Sequence, residues 1–325
     1  MRSVSFLVGT CLFLATSVYA IAETRLTVAT LRSLSQAPAW VALESGFYKE
    51  HELGIVPVQF SSGPQAIMAL ISGDVQMTTT GGPPAINARL KGGDTVLIGT
   101  TVGVYPYVFY VSGRIRNPED LKGKKVGISS FGGASHTATQ IALQKLGLNP
   151  KTDVTMVQIG DQGSRLAAMA SGSIDGALMQ PPESLRAREM KFKPMVNLAQ
   201  SGVKFPLNHL ATSRKYVENN RETSKKFMMA TIAGIARFKS DRNFTMEVLK
   251  KYLRLSDPRL LAETYDFWAP IYPAKPYVDP GEIEAYLPTV ADRGSAKAED
   301  FFDNSIIAEL DRQGFIDGVY RKYEK

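Results

Sequence analysis

Beyond its first eleven residues the 325-residue chain has no cysteine. Cys11 is the only thiol and sits in an apolar N-terminal run, so the chain after that run has no disulfide, no cysteine nucleophile and no sulfur-ligated metal. Histidine is almost as scarce: His51, His136 and His209 show no ligand spacing, and no metal is expected. Nucleotide motifs are missing too. Neither SLSQAPA (33–39) nor SSFGGASH (129–136) carries the G-x-G-x-x-G of a dinucleotide turn, and no GK[ST] phosphate loop occurs. The hydrolase elbow G-x-S-x-G fails, because Gly127-Ile128-Ser129 continues as Ser130-Phe131. Ser135 and His136 are neighbours in sequence, and neighbours on a helix do not share a face, so they do not make a nucleophile and its base. No cofactor and no enzymatic reaction are expected. Charge of one sign is never concentrated either. The 38 basic and 31 acidic residues are scattered with no run of five alike, which excludes the basic stripe of a nucleic-acid binder.

What the sequence does contain begins with a leader. Arg2, the apolar run Val4 to Val18 and the A-x-A site Ala20-Ile21-Ala22 have the order of a secretory signal, so residues 1–22 are expected to be cleaved. Loss of Arg2 leaves 37 basic residues, and 37 − 31 = +6. No later stretch approaches the roughly 20 apolar residues of a membrane span. A lipid anchor at Cys11 is disfavoured by the poor match of Val8-Gly9-Thr10. Export without disulfides suits a periplasmic protein, stabilised by its core alone.

An internal repeat organises the rest. AIMALISGDVQMTTTGGPP (66–84) parallels RLAAMASGSIDGALMQPP (165–182); Ser72-Gly73 returns as Ser171-Gly172, and 171 − 72 = 99. RLTVA (25–29) and KKVGI (124–128) share that offset, as do IVPVQF (55–60) and DVTMVQI (153–159) to within a residue. Each half therefore reads strand, helix, strand, helix, strand: 25–30, 37–50, 55–60, 64–72 and 75–79, then 124–128, 134–146, 153–158, 163–171 and 174–178. Apolar spacing and the stops at Gly46, Gly73, Gly147 and Gly172 support the helices. Alternating strands and helices imply mostly parallel sheets flanked by helices, one per lobe. The strand-rich segment 95–113, broken at Pro106, leads from lobe I into lobe II, and 205–211 leads back. Helical segments follow. The expected division is 23–107 with 208–325 for lobe I and 108–207 for lobe II.

Open α/β sheets bind ligands beyond the carboxyl ends of their strands. That rule selects six loops, at 31–36, 61–64, 78–82, 129–136, 160–164 and 179–182. All are rich in Ser, Thr, Gln and Gly and poor in charge, and they lead into helix N-termini, which favour anions. Of the histidines, His51 is expected to be a solvated helix-end residue and His209 part of the return segment. His136 is either a polar ligand contact or a local cap.

QAPAWVALESGFYKEHELGIVPV (36–58) resembles the signature of the nitrate/sulfonate/taurine-type periplasmic substrate-binding proteins of ABC importers. NPEDLKGKKVGI (117–128) and SGSIDGALMQPP (171–182) are similar to two further motifs of that group. The resemblance implies a type II periplasmic-binding clamshell, monomeric, that captures a small solute between its lobes and delivers it to an ABC permease and its ATPase. It places Ser33, Gln36, Ser62, Gly63, Thr80 and Gly81 at the pocket from lobe I. From lobe II it places Ser130, Gly133, Ser135, His136, Gln162 and Gln180. The Ser-His pair resembles the taurine and alkanesulfonate branch, where this turn cradles an oxyanion. No arginine is evident in the loops of lobe II and only Arg32 in those of lobe I, so a monoanion or a neutral polar solute is expected. The alternatives are an enzyme related to thiamine-pyrimidine synthesis, whose cysteine cluster has no counterpart here, and a soluble sensor for a separate membrane receptor.

Overall fold

The computed structural model describes residues 23–201, 204–291 and 293–323; the expected signal peptide and Cys11 lie outside them. The first repeat unit runs β1 (Thr24–Leu31), α1 (Ala37–Glu44), α2 (Phe47–Glu50), β2 (Leu53–Phe60), α3 (Gly63–Ser72), β3 (Met77–Thr78) and α4 (Gly82–Leu90). The chain then crosses through β4 (Val96–Val104) and β5 (Val108–Val111). The second unit runs β6 (Lys124–Ile128), α5 (Ala134–Lys145), β7 (Val154–Gln158), α6 (Gln162–Ala170), β8 (Gly176–Met179) and α7 (Glu183–Glu189). It returns through β9 (Lys193–Asn197) and β10 (Lys204–Thr212). Helices α8 (Arg214–Asn219), α9 (Arg221–Ser240), α10 (Arg242–Leu253), α11 (Pro258–Trp268), α12 (Pro280–Tyr286), α13 (Ser305–Arg312) and α14 (Phe315–Arg321) follow.

The strands form two five-stranded sheets with one topology, β2-β1-β3-β10-β4 and β7-β6-β8-β5-β9. In each sheet three strands of the repeat unit are parallel. The fourth strand is delivered by a crossing and opposes its neighbours: β10 in the first sheet, β5 in the second. Four of five strands thus point one way, and the expected two-lobe, mostly parallel clamshell is the fold. The first sheet takes β10 from beyond both crossings, whereas the second is built wholly from the continuous stretch between them, so only the first is completed by a distant strand.

The sequence explains the interior strand β10 and the edge strand β4, whose open side is covered by C-terminal segments: the N–H of Leu97 donates to the carbonyl of Phe301 and that of Thr100 to the carbonyl of Pro276, each at 2.9 Å. VLIGTTVGV of β4 is buried over its first seven residues, and KFPLNHLAT of β10 over all but the first. Such continuous burial suits strands covered on both faces by helices. Gly73 and Gly172 end α3 and near α6 at φ 85° and 75°, conformations that other residues rarely adopt. Three details differ from the sequence reading. The helix expected over 37–50 breaks at Gly46 into α1 and α2. The return strand pairs with Val104 from Lys204 onward, four residues before 208. His51 is half-buried, its ring edge-on to Phe315 at 6.3 Å between centroids, because α14 folds over the end of α2.

The C-terminal helices tie the second sheet to the first. Trp268 at the end of α11 is fully buried, and its indole N–H donates to the carbonyl of Pro181 in lobe II at 3.3 Å. Tyr272 is buried too, and its hydroxyl donates to the carbonyl of Leu34 in the first loop of lobe I.

Candidate functional site

The carboxyl ends of the parallel strands in both sheets face one cavity of about 470 Å³. Five of the six loops selected by the sequence line it, from Leu31 to Ser35, Gln59 to Gly63, Gly81, Ser129 to Ser135, and Ile159 to Arg165. Tyr107 from the first crossing and Leu207 and Asn208 from the second complete it. The sixth loop, 179–182, contributes no lining residue.

Seven of the twelve expected residues border the cavity: Ser33, Ser62, Gly63, Gly81, Gly133, Ser135 and Gln162. Three of the helices opening there, α3, α4 and α5, start at Ser62, Gly81 and Gly133 without a side-chain cap. Their first N–H groups have no intrahelical acceptor and attract negative charge, most fully at α5; Pro64 in α3 and Pro83 and Pro84 in α4 carry no N–H, so α4 offers little beyond the N–H of Gly82. Gly81 is required by space as well: a Cβ there would lie 2.8 Å from the carbonyl oxygen of Leu207.

The other five expected residues stand behind the wall or away from it. Gln36 is buried, and its Oε1 accepts from the N–H of Leu31 at 2.9 Å and the hydroxyl of Thr79 at 2.7 Å, which pins the first loop to the third. Gln180 supports Gln162: its N–H donates to Gln162 Oε1 at 2.6 Å, and its Oε1 accepts from Gln162 Nε2 at 3.0 Å. Thr80 and Ser130 are buried, their hydroxyls without a hydrogen-bond partner among the described residues, and lie outside the lining. His136 is outside as well. Its Nδ1 accepts from the N–H of Gly132 at 3.2 Å and its ring meets Phe131 edge-on, so of the two roles open from sequence the structure shows the local cap. Burial lowers its pKa from the ordinary histidine value. The adjacent Ser135 turns the other way: its Oγ accepts from the N–H of Ser129 at 2.8 Å and lies 2.7 Å from the Ser129 hydroxyl. One residue of helical rotation separates cavity from cap.

The sequence reading missed the strongest group in the site. Arg165, one turn into α6, is only 3% exposed, yet it lines the cavity and its Nη1 has no hydrogen-bond partner among the described residues. Its Nε donates to the carbonyl of Asp161 at 3.4 Å. Burial pulls its pKa below the ordinary guanidinium value, with Tyr107, Asp161 and Glu183 acting in the opposite direction. The Tyr107 hydroxyl is pushed by burial up to about 12, against the pull of Arg165 and a hydrogen bond to Gln180. At Asp161 burial acts upward but is outweighed by hydrogen bonds from Ser164 and by Arg32 and Arg165, leaving its pKa below the usual value. The repeat carried a signal for Arg165. At the shared offset, 165 − 66 = 99, it stands where the first unit has Ala66, which is fully buried. A charged residue at a core position asks for a partner.

Arg32, Arg165 and Asp161 are the formally charged lining residues, and 2 − 1 = +1. The remaining wall is hydroxyl, amide and backbone groups, Tyr107, and the apolar Leu31, Phe60, Pro84, Ala134, Ile159 and Leu207. Such a surface can hold an oxyanion by charge-assisted hydrogen bonds, with room beside it for an apolar group.

Comparison with known proteins agrees with this geometry. The chain is 28% identical over 264 residues to a putative aliphatic sulfonates-binding protein of Escherichia coli, covering 77% of this chain and 75% of that one. It is 24% identical over 260 residues to the riboflavin-binding protein RibY of Chloroflexus aurantiacus, covering 76% and 73%. A solved protein of Bordetella bronchiseptica superposes with a TM-score of 0.80 at 17% identity, covering 89% of this chain and 97% of that one, which shows a shared fold. A family model described as NMT1/THI5 like matches residues 34–241, a stretch that contains the first repeat unit after β1, the whole second unit and both crossings, and the chain belongs to that family.

Proposed function

We propose that this protein is the periplasmic solute-binding component of an ABC importer, and that its solute is a small organic monoanion of the sulfonate or carboxylate kind. The observation that carries the reading is Arg165, a buried guanidinium that borders a cavity between two lobes and whose Nη1 has no hydrogen-bond partner among the described residues. A buried charge without a partner is costly, and the cost is offset when an anion arrives. The uncapped helix ends at Ser62 and Gly133 add donors from both lobes. The lining charge of +1 matches one negative charge on the solute. The sulfonate-binding relative points the same way, and the riboflavin-binding relative indicates that ligand size varies among similar proteins.

In this reading residues 23–107 with 208–325 move as one body and 108–207 as the other, about the two crossings. The solute first meets one lobe, and closure then brings donors from the second. Each hydrogen bond to a charged group contributes about 1.5–3 kcal/mol, so two or three suffice to shift a modest open–closed balance. The closed form is what the permease and its ATPase receive. No helix among the described residues is long and apolar enough to cross a membrane, and the leader pattern accounts for export. The test is inter-lobe distance by FRET between labels on α3 and α6, titrated with ethanesulfonate and with acetate. Compaction that saturates with ligand is expected; binding without compaction refutes the two-lobe capture.

A further inference from the structure

A second chamber, of about 400 Å³, opens beside the cleft on lobe I and shares Leu31, Arg32 and Gln59 with it. Its floor is one face of the β1–β2 pair. Val28 stands opposite Pro57 and Thr30 opposite Gln59 in the parallel register, so alternate residues of both strands face the same side. One wall is aromatic: Trp40 of α1 and Tyr252 of α10 stack at 4.9 Å with 9° between their planes. The rim is cationic. Lys251 is neutralised by Glu44, 2.8 Å from both carboxylate oxygens, but Arg32 and Arg254 make no ion pair among the described residues.

Resting on the reading of the cleft as an anion site, we infer that this chamber is a tail subsite, and that the solute is an arylated anion rather than a short aliphatic one. The anionic head stays at Arg165, and a flat apolar group passes Arg32 into the chamber. Three features select a ring over a flexible chain. The Val28–Pro57 part of the floor and the aromatic wall at Tyr252 offer flat apolar surface, which an aromatic group covers with little loss of its own freedom. Arg32 lies at the junction and Arg254 at the rim, where a ring face attracts a guanidinium. The volume lies within the range of small-molecule pockets and exceeds what the short solutes of the cleft would fill. The chamber involves none of the residues that face the cavity from lobe II.

The test titrates ethanesulfonate and 4-phenylbenzenesulfonate calorimetrically into the full chain and into two variants that fill the chamber, Ala39→Phe and Pro57→Trp. Ala39 is a half-buried lining residue on α1, and Pro57 lies on the exposed face of β2, so the second variant stands if the first fails to fold. The wild type is expected to prefer the aryl probe. Filling the chamber is expected to weaken that probe roughly 10- to 100-fold, the span that burying one ring's apolar surface confers, and to leave ethanesulfonate within about twofold. Equal losses for both probes, no loss for either, or a wild-type preference for ethanesulfonate overturns the tail subsite and leaves the cleft reading standing. Binding of neither probe, and of neither acetate nor 4-phenylbenzoate titrated alongside them, overturns both.

Discussion

Replacing Arg165 by methionine separates two effects of opposite sign. Arg165 is 3% exposed, its Nη1 has no partner among the described residues, and burial lowers its pKa. Methionine keeps most of the side-chain bulk and removes the charge. Exchanging buried ionic groups for apolar ones of similar volume ranges from neutral to about 1–4 kcal/mol stabilising. The variant's ligand-free stability should therefore equal or exceed that of the wild type, less whatever the 3.4 Å bond to Asp161 contributes. With solute bound the balance reverses. Removing one partner of a buried, hydrogen-bonded charge pair costs about 2–5 kcal/mol, a rise in Kd of roughly 30- to 4,000-fold. Urea unfolding of the ligand-free protein measures the first effect, and calorimetric titration with a sulfonate measures the second. Arg165→Lys is the control: it keeps the charge but loses the planar fork, so its affinity should fall between the two. A variant that binds as well as the wild type while losing stability would refute the reasoning, because Arg165 would then be a structural group that happens to border a cavity.

Other outcomes follow from the same geometry. His136→Gln should leave solute affinity unchanged at neutral pH, since the ring lies outside the cavity and glutamine can still accept from Gly132. Because burial depresses the folded-state pKa of His136, the neutral ring's contribution is complete above the unfolded value of about 6.5 and lost as pH falls through the folded one. Urea melts at pH 7.5 and below 6 should therefore show the variant gaining on the wild type in acid. Gly81→Ala places a methyl 2.8 Å from the Leu207 carbonyl oxygen, so the third loop must shift; a stability loss of about 1–3 kcal/mol, with weaker binding, is expected in melts and titrations. Gln180→Leu removes one partner of the paired amides and should cost about 1–3 kcal/mol. It should also weaken binding although Gln180 does not border the cavity, because Gln162 loses its support; wild-type affinity in this variant would show that Gln162 holds its place without it.

The fold was legible because its largest signal is repetition. RLTVA and KKVGI, each followed by two further strand–helix units, announce two like sheets, and the rule that ligands meet the carboxyl ends of parallel strands then selects loops without knowledge of their contacts. Five of those six loops do line the cavity. Individual residues were less legible. Ser135 and His136 are equivalent in a loop reading, and helical rotation alone sends one to the cavity and the other to a cap. Gln36 and Gln180 have ligand chemistry but spend it on the loops themselves.

By itself, then, the sequence determined what is local or periodic: the leader pattern, the strand and helix order, the two matching units, the missing thiol, and the polar character of the loops. The tertiary structure decided which side chains meet, because that depends on residues far apart in the chain and on the direction of each Cα–Cβ bond. It brought Asn208 from the return strand and Tyr107 from the first crossing into one wall. It joined Trp40 to Tyr252 across more than half the chain. It also turned Arg165 inward to the position its repeat partner fills with a buried alanine, where a guanidinium whose Nη1 has no partner among the described residues borders the cavity.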